Sequence, residues 1–234
     1  MTMPVVQPLK QESALSSSRA PGGVRAVLLD SLGTLVELEP PWVHLGAELG
    51  TDADDRLVRA VRAEMAYYKA HSHTGRDARS LAQLRARCAA ILSGELGREV
   101  DVETMMSAIR FRPYPDSAPA LDALRRRGLR LVCVSNWDCS LPEVLERCGL
   151  AAKLDGVVTS AGAGSRKPDP AIFAEGLKLA GARAEAAIHV GDTLDEDVKG
   201  ARAAGIRALH LDRDGGGDIA SLAEVEPLLD TMAR

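Results

Sequence analysis

Five short stretches of this chain are apolar almost without a break: VRAVLLD (24–30), LRLVCVSN (129–136), LDGVVTS (154–160), AAIHVGD (186–192) and IRALHLD (206–212). A strand with one wet face alternates apolar and polar residues. A strand covered on both faces does not, so these runs read as strands of a buried parallel sheet. The run at 154–160 carries the weakest signal. Helical patterns lie between the runs. Residues 116–127 (DSAPALDALRRR) stop at Gly128, and 140–148 (SLPEVLERC) start on Ser and stop before Gly149. Residues 168–180 place Pro and Asp in their first turn, and 194–204 stop at Gly205. Strand alternating with helix predicts an α/β fold, a doubly wound parallel sheet with right-handed crossovers.

The interval between the first two runs is too long for a single crossover. It holds about four helical patterns instead. Leu57, Val61, Met65 and Tyr68 recur at helical spacing in 52–73, and Leu81, Leu84, Cys88 and Ile91 do so in 76–94. The proline-containing stretches ELEPP (37–41) and RFRPYP (110–115) bracket the block. This predicts a core domain formed by 24–39 and 112–234. A smaller all-helical domain, 40–111, is inserted on two connecting strands and placed to act as a lid. Residues 1–23 mix Ser, Pro, Gln and Gly and lack the apolar stretch of a signal peptide. They are expected to form a disordered leader.

Composition narrows the partners. The formal net charge is −4 and aromatic residues make up 3%, which speaks against a nucleic-acid groove or a stacking platform. No apolar run approaches the ~20 residues that cross a bilayer. Cys88, Cys133, Cys139 and Cys148 form no CxxC pair and read as thiols in a reducing cytoplasm. A small-molecule partner is expected, with the chain as monomer or homodimer.

The reactive residues fall where the strands end. The first run ends at Asp30, the second at Ser135 and Asn136, and the fourth at Gly191 and Asp192, with Asp197 close behind in GDTLDED. In an open parallel sheet the carboxyl ends of the strands border one crevice, which is the expected ligand site. Asp30 alone fits a nucleophile, a metal ligand or a turn cap. Together with Asp192 and Asp197 it changes character, because two carboxylates about 4 Å apart repel by ~4 kcal/mol at an effective dielectric near 20. Oxygen-only ligands select a hard cation, Mg²⁺ foremost. Lys167, in SRKPDP, adds a positive charge on the loop before a helix.

The order Asp30-x-x-Gly33-Thr34, Ser135-Asn136, Lys167-Pro168 and Gly191-Asp192 with Asp197 resembles the four motifs of the haloacid dehalogenase superfamily. The inserted block resembles the helical cap of the branch that includes phosphoglycolate phosphatase and the haloacid dehalogenases. The resemblance implies a Rossmann-like core and a Mg²⁺-dependent hydrolase acting on a small phosphorylated substrate. It implies that Asp30 is the nucleophile, forming an aspartyl-phosphate. Ser135 would bond the phosphoryl group and Lys167 would neutralise charge. Asn136, Gly33 and Thr34 would help hold substrate. Asp30, the Leu32 backbone carbonyl, Asp192 and Asp197 would hold the ion, Asp197 through water or by orienting the lysine.

One position departs from that pattern. Phosphatases of the superfamily carry a second Asp two residues after the nucleophile, as general acid and base; this chain has Leu32. Such a group typically contributes 10²–10⁴-fold. The leading reading is a phosphatase that prefers good leaving groups or recruits a proton donor from Asp138, His71 or His73. A 2-haloacid dehalogenase needs no acid at position 32, but has no use for the acidic pair in GDTLDED. The third reading is a binding or regulatory module with weakened catalysis. Tyr67, Tyr68, His71, His73 and Arg76 form a polar cluster after a helical pattern, and Arg112 near the hinge is a further candidate for an anionic substrate.

Overall fold

The computed structural model describes residues 23–232. All but the last residue of the expected leader therefore lies outside the described residues. Strands β1 (Ala26–Leu29), β2 (Val36–Leu38), β3 (Phe111–Pro113), β4 (Arg130–Ser135), β5 (Gly156–Thr159), β6 (Ala187–Gly191) and β7 (Arg207–His210) occur in that chain order. Five of them make one sheet, β5-β4-β1-β6-β7, in which every pairing is parallel. The five apolar runs are these five strands, each trimmed by a residue or more at its ends.

The absence of alternation in the strands has the expected cause. Val27, Leu29, Leu131, Cys133, Ile188 and Val190 face one layer. That layer is built by helices α5 (Ser117–Arg126), α6 (Leu141–Arg147) and α10 (Val225–Met232). Leu28, Val132 and Val134 face the other, where Ile172 and Phe173 of α8 (Pro170–Ala180) and Ala201 of α9 (Gly200–Ala203) close the core. Each Leu or Ile withdrawn from water here stabilises the fold by about 1.5–3 kcal/mol. From β1 the chain moves outward through β4 and β5, then returns to the other side for β6 and β7. The loops after β1 and β6 therefore diverge, and a crevice opens between them.

The insert rides on a separate two-stranded antiparallel ribbon, β2 with β3. Between those strands lie α1 (Pro41–Leu49), α2 (Asp55–His71), α3 (Ala78–Leu96) and α4 (Val102–Ser107). Their apolar faces meet in a cluster of their own that includes Leu45, Leu57, Val61, Leu84, Leu92 and Met105. Local signals fix the helix ends. The Asp54 carboxylate accepts the Leu57 N–H at 2.8 Å, Asp77 and Ser80 form a reciprocal capping box, and Gly97 ends α3 in the left-handed conformation.

The helix expected over 194–204 forms differently. Leu194–Lys199 is a widened π-type turn and only Gly200–Ala203 is α-helical. The Thr193 N–H donates to Asp197 Oδ2 at 3.1 Å while the Asp197 N–H donates to the Thr193 carbonyl at 2.8 Å. The Thr193 carbonyl also accepts the Val198 N–H, five residues on, at 3.4 Å, which is the widened spacing; such turns recur at functional sites. A four-residue helix, α7 (Ser160–Ala163), and the terminal α10 carry no clear sequence signal.

Candidate active site

Asp30 follows β1 directly, and its N–H donates to the Val190 carbonyl of β6 at 2.9 Å. The side chain is buried. Oδ1 accepts a hydrogen bond from Ser135 Oγ at 3.0 Å and another from Lys167 Nζ at 2.5 Å. Burial pushes the Asp30 carboxyl upward, and the Lys167 ammonium opposes that push.

Lys167 is 2% exposed and lies between two carboxylates, reaching Asp197 Oδ1 at 2.5 Å as well as Asp30. Burial alone would lower its pKa; Asp30 and Asp197 overcome it and hold the lysine protonated. Asp197 is equally buried. Burial raises its pKa, but Lys167 and His189 win and hold it well below the usual carboxylate range. His189 Nε2 stands 2.8 Å from Asp197 Oδ1, and the ring packs edge-on against Phe173.

One carboxylate oxygen each from Asp30, Asp192 and Asp197 lie within 4.8 Å of one another. Three carboxylates meet one ammonium, so negative charge is left over. Asp192 registers it: burial first, then Asp30 and Asp197, push its carboxyl up to about 6. The donor set and its unbalanced charge fit a divalent, oxygen-liganded ion. Two glycines make the approach possible. Gly33 has φ +85°, and a Cβ there would overlap the Asp192 carboxylate; a Cβ on Gly191 would overlap the Asp197 carboxylate.

Several residues expected to touch substrate do other work. Asn136 borders the cavity, but its amide group is committed. Nδ2 donates to the Lys167 carbonyl at 3.0 Å and to Glu196 Oε2 at 3.1 Å, and Oδ1 accepts the Lys167 N–H at 2.8 Å. It clamps the lysine loop. Thr34 is fully buried and does not line the cavity. Its carbonyl, with that of Gly33, accepts the Arg213 guanidinium at 2.7 and 3.3 Å. Gly33 borders the cavity, while its N–H donates to the Val36 carbonyl at 2.9 Å within the turn. Asp197 accepts Lys167 and His189 on Oδ1 and the Thr193 N–H on Oδ2, and so fixes the lysine ammonium in place.

A cavity of about 300 Å³ lies above Asp30, between the core and the helical insert. Asp138 lines it with both oxygens occupied: Tyr68 Oη donates to Oδ2 at 2.7 Å and the Ser140 N–H to Oδ1 at 2.7 Å. Of the polar cluster at the end of α2, only Tyr68 reaches the cavity. His71 stacks on Tyr67, and neither His71 nor His73 borders the site as a proton donor would. Arg112 is exposed and pairs with Glu37 at 2.9 Å.

Sequence reasoning passed over His189, Glu196 and Arg213. A histidine inside the apolar run AIHVGD was the available signal for the first. Arg213 gave none: it lies over the Tyr114 ring at 3.5 Å and bonds Asp116 at 3.1 Å, contacts made only in the folded chain.

Residues 24–205 match the family model described as haloacid dehalogenase-like hydrolase. Haloacid dehalogenase-like hydrolase domain-containing protein 3 of Bos taurus is 47% identical over 88 residues, 38% of this chain and 35% of the relative. Glyceraldehyde 3-phosphate phosphatase of Methanopyrus kandleri is 37% identical over 108 residues, 44% of each chain. Phosphoserine phosphatase of Thermus thermophilus is 38% identical over 120 residues, 51% of this chain and 48% of the relative. The alignments thus span less than half the length of these curated relatives. Among solved structures, L-2-haloacid dehalogenase from Xanthobacter autotrophicus superposes with a TM-score of 0.69 at 21% identity, covering 90% of this chain and all of that one. A likeness at that identity speaks to the fold.

Proposed function

The chain belongs to the haloacid dehalogenase-like hydrolase family, and from that premise we propose that it is a Mg²⁺-dependent phosphatase of small phosphate esters with Asp30 as nucleophile. The observation that carries this reading is the cluster of Asp30, Asp192 and Asp197 around one buried lysine, with more negative charge than that lysine balances. Relatives named for glyceraldehyde 3-phosphate and phosphoserine support phosphate esters as the substrate class. The four cysteines are free thiols, in keeping with a reducing cytoplasm. No helix among the described residues is long and apolar enough to cross a membrane.

Asp30, Asp192 and the Leu32 carbonyl would hold the ion. Once bound, it would offset carboxylate charge and the charge developing on the phosphoryl oxygens. The remaining chemistry belongs to side chains. Ser135 and Lys167 both bond Asp30 Oδ1, which leaves Oδ2 to attack phosphorus. The Oδ2–P bond forms and the ester P–O bond breaks, its electron pair departing on the alcohol oxygen. Lys167 stays protonated and counters charge on nucleophile and phosphoryl group alike. Water then attacks phosphorus, the P–Oδ2 bond breaks, and inorganic phosphate leaves. With leucine at position 32, the departing oxygen draws its proton from solvent and water attacks unaided.

The test is phosphate release from p-nitrophenyl phosphate and acetyl phosphate with Mg²⁺ and with EDTA. Turnover is expected with the metal alone, and Asp30→Asn should lower it by about 10³-fold or more. Chloride release from 2-chloropropionate in EDTA, without phosphatase activity, would replace this reading with a dehalogenase. Full activity in Asp30→Asn would remove the nucleophile.

A further inference from the structure

The walls of the cavity and the residue at position 32 constrain the leaving group independently. On the insert and hinge side the wall is made by Leu38, Met65, Met106, Ile109 and Phe111, with Trp137 from the core closing it. Phe111 and Trp137 stand 5.0 Å apart, tilted. Several polar groups of the same cavity are already engaged, Lys69 among them, which faces Glu196 at 3.8 Å. Asp138 is saturated by Tyr68 and the Ser140 N–H. Glu64 is buried in the wall, its carboxyl raised by burial, and the Cys88 thiol is its hydrogen-bonding partner. Arg147 is exposed and Arg85 half-exposed, as befits a rim. Hydroxyls moved from water onto such a wall would each lose hydrogen bonds that the wall does not replace.

Leu32 makes the second constraint. Its side chain is 40% exposed and borders the cavity beside the nucleophile, where it can neither donate nor accept a proton. Only an oxygen that is stable as an anion departs readily from phosphorus there. Apolar bodies exclude sugars and glycerol; unprotonated departure excludes simple alcohols. We infer that the site selects aryl phosphomonoesters, with the ring against Phe111 and Trp137 and the phenolate oxygen leaving without a proton donor. In the step itself the Asp30 Oδ2–P bond forms, the P–O(aryl) bond breaks, and its electron pair departs as phenolate, which takes a proton from bulk water. This inference rests on the phosphatase reading above.

The test is a panel under Mg²⁺: phenyl, 1-naphthyl and benzyl phosphate, glycerol 1-phosphate, glucose 6-phosphate and acetyl phosphate. Phenyl phosphate is expected to exceed benzyl phosphate by about 10²-fold or more in kcat/KM, since the benzyl ring fits equally but its alkoxide needs a proton. Both aryl esters should exceed glycerol 1-phosphate by at least as much, and 1-naphthyl phosphate should show the lower KM of the two. A calorimetric titration adds a readout without turnover: phenylphosphonate should bind about tenfold tighter than methylphosphonate. Equal turnover of benzyl and phenyl phosphate, or preference for glycerol 1-phosphate or glucose 6-phosphate, overturns the aryl assignment and leaves the phosphatase standing. Release of phosphate from none of the six, acetyl phosphate included, removes both.

Discussion

Asp192 is the site residue whose charge is least balanced inside the protein, with its carboxyl pushed up to about 6. A metal-bound carboxylate must be ionised, so protons compete with the ion. Above pH 7 Asp192 is ionised and the site is ready. At pH 5, one unit below that pKa, only about a tenth of the molecules carry the anion, and apparent Mg²⁺ affinity should fall about tenfold. Calorimetric titration at pH 7.5 and 5.0 measures this; equal affinities would mean that Asp192 is not a ligand. Leu32 gives the complementary experiment. Its side chain is partly exposed beside the cavity, so Leu32→Asp empties no core position. The variant should hydrolyse alkyl phosphates such as glycerol 1-phosphate 10²–10⁴-fold faster, within the range such a proton-transfer group supplies. An unchanged rate would show that the missing acid does not limit this enzyme.

The turns that deliver these residues matter as much as the residues. Gly191 ends β6 under the Asp197 carboxylate, and a methyl group there would overlap it. Asp197 is locked by Lys167, His189 and the Thr193 N–H, so it cannot step aside cheaply. Gly191→Ala is expected to destabilise the fold by about 1–3 kcal/mol, as overpacking does, and to disturb Lys167 with it. Chemical denaturation gives the first effect and p-nitrophenyl phosphate turnover the second. A variant with unaltered stability and rate would mean that the π-type turn yields more readily than its bonds suggest. Asn136 works at the same scale, two of its amide contacts fixing the backbone of the lysine loop.

Across the whole molecule, insert and core meet through few polar contacts. Tyr68 Oη bonds the buried Asp138, the Cys139 N–H bonds the Gly75 carbonyl at 2.8 Å, Arg166 Nη1 donates to the Ala70 carbonyl at 3.4 Å, and Lys69 approaches Glu196 at 3.8 Å. Tyr68 gives the only one of these side-chain contacts that reaches a buried carboxylate. Tyr68→Phe should weaken closure of the insert by about 1.5–3 kcal/mol, the worth of a hydrogen bond to a charged group. The readout is hydrogen exchange at α2 together with KM for p-nitrophenyl phosphate, both expected to rise. No change in either would show that apolar packing holds the insert closed without this bond.

The sequence by itself determined the sheet and where its reactive ends would lie. Strands covered on both faces must be apolar throughout, so β1, β4, β6 and β7 stood out from their surroundings, the half-buried edge strand β5 less so, and Asp30, Ser135 and Asp192 stood at carboxyl ends. The block of helical periodicity after β2 was legible for the same reason: its buried stripe repeats within one element. What each polar group bonds to was decided only by the folded chain. Asn136 and Thr34 looked free because a sequence shows donors and acceptors but not the partners that use them. His189, Glu196 and Arg213 act through residues 8 to 180 positions away. Periodicity records burial, which is local to an element; hydrogen bonds between elements leave no period to read.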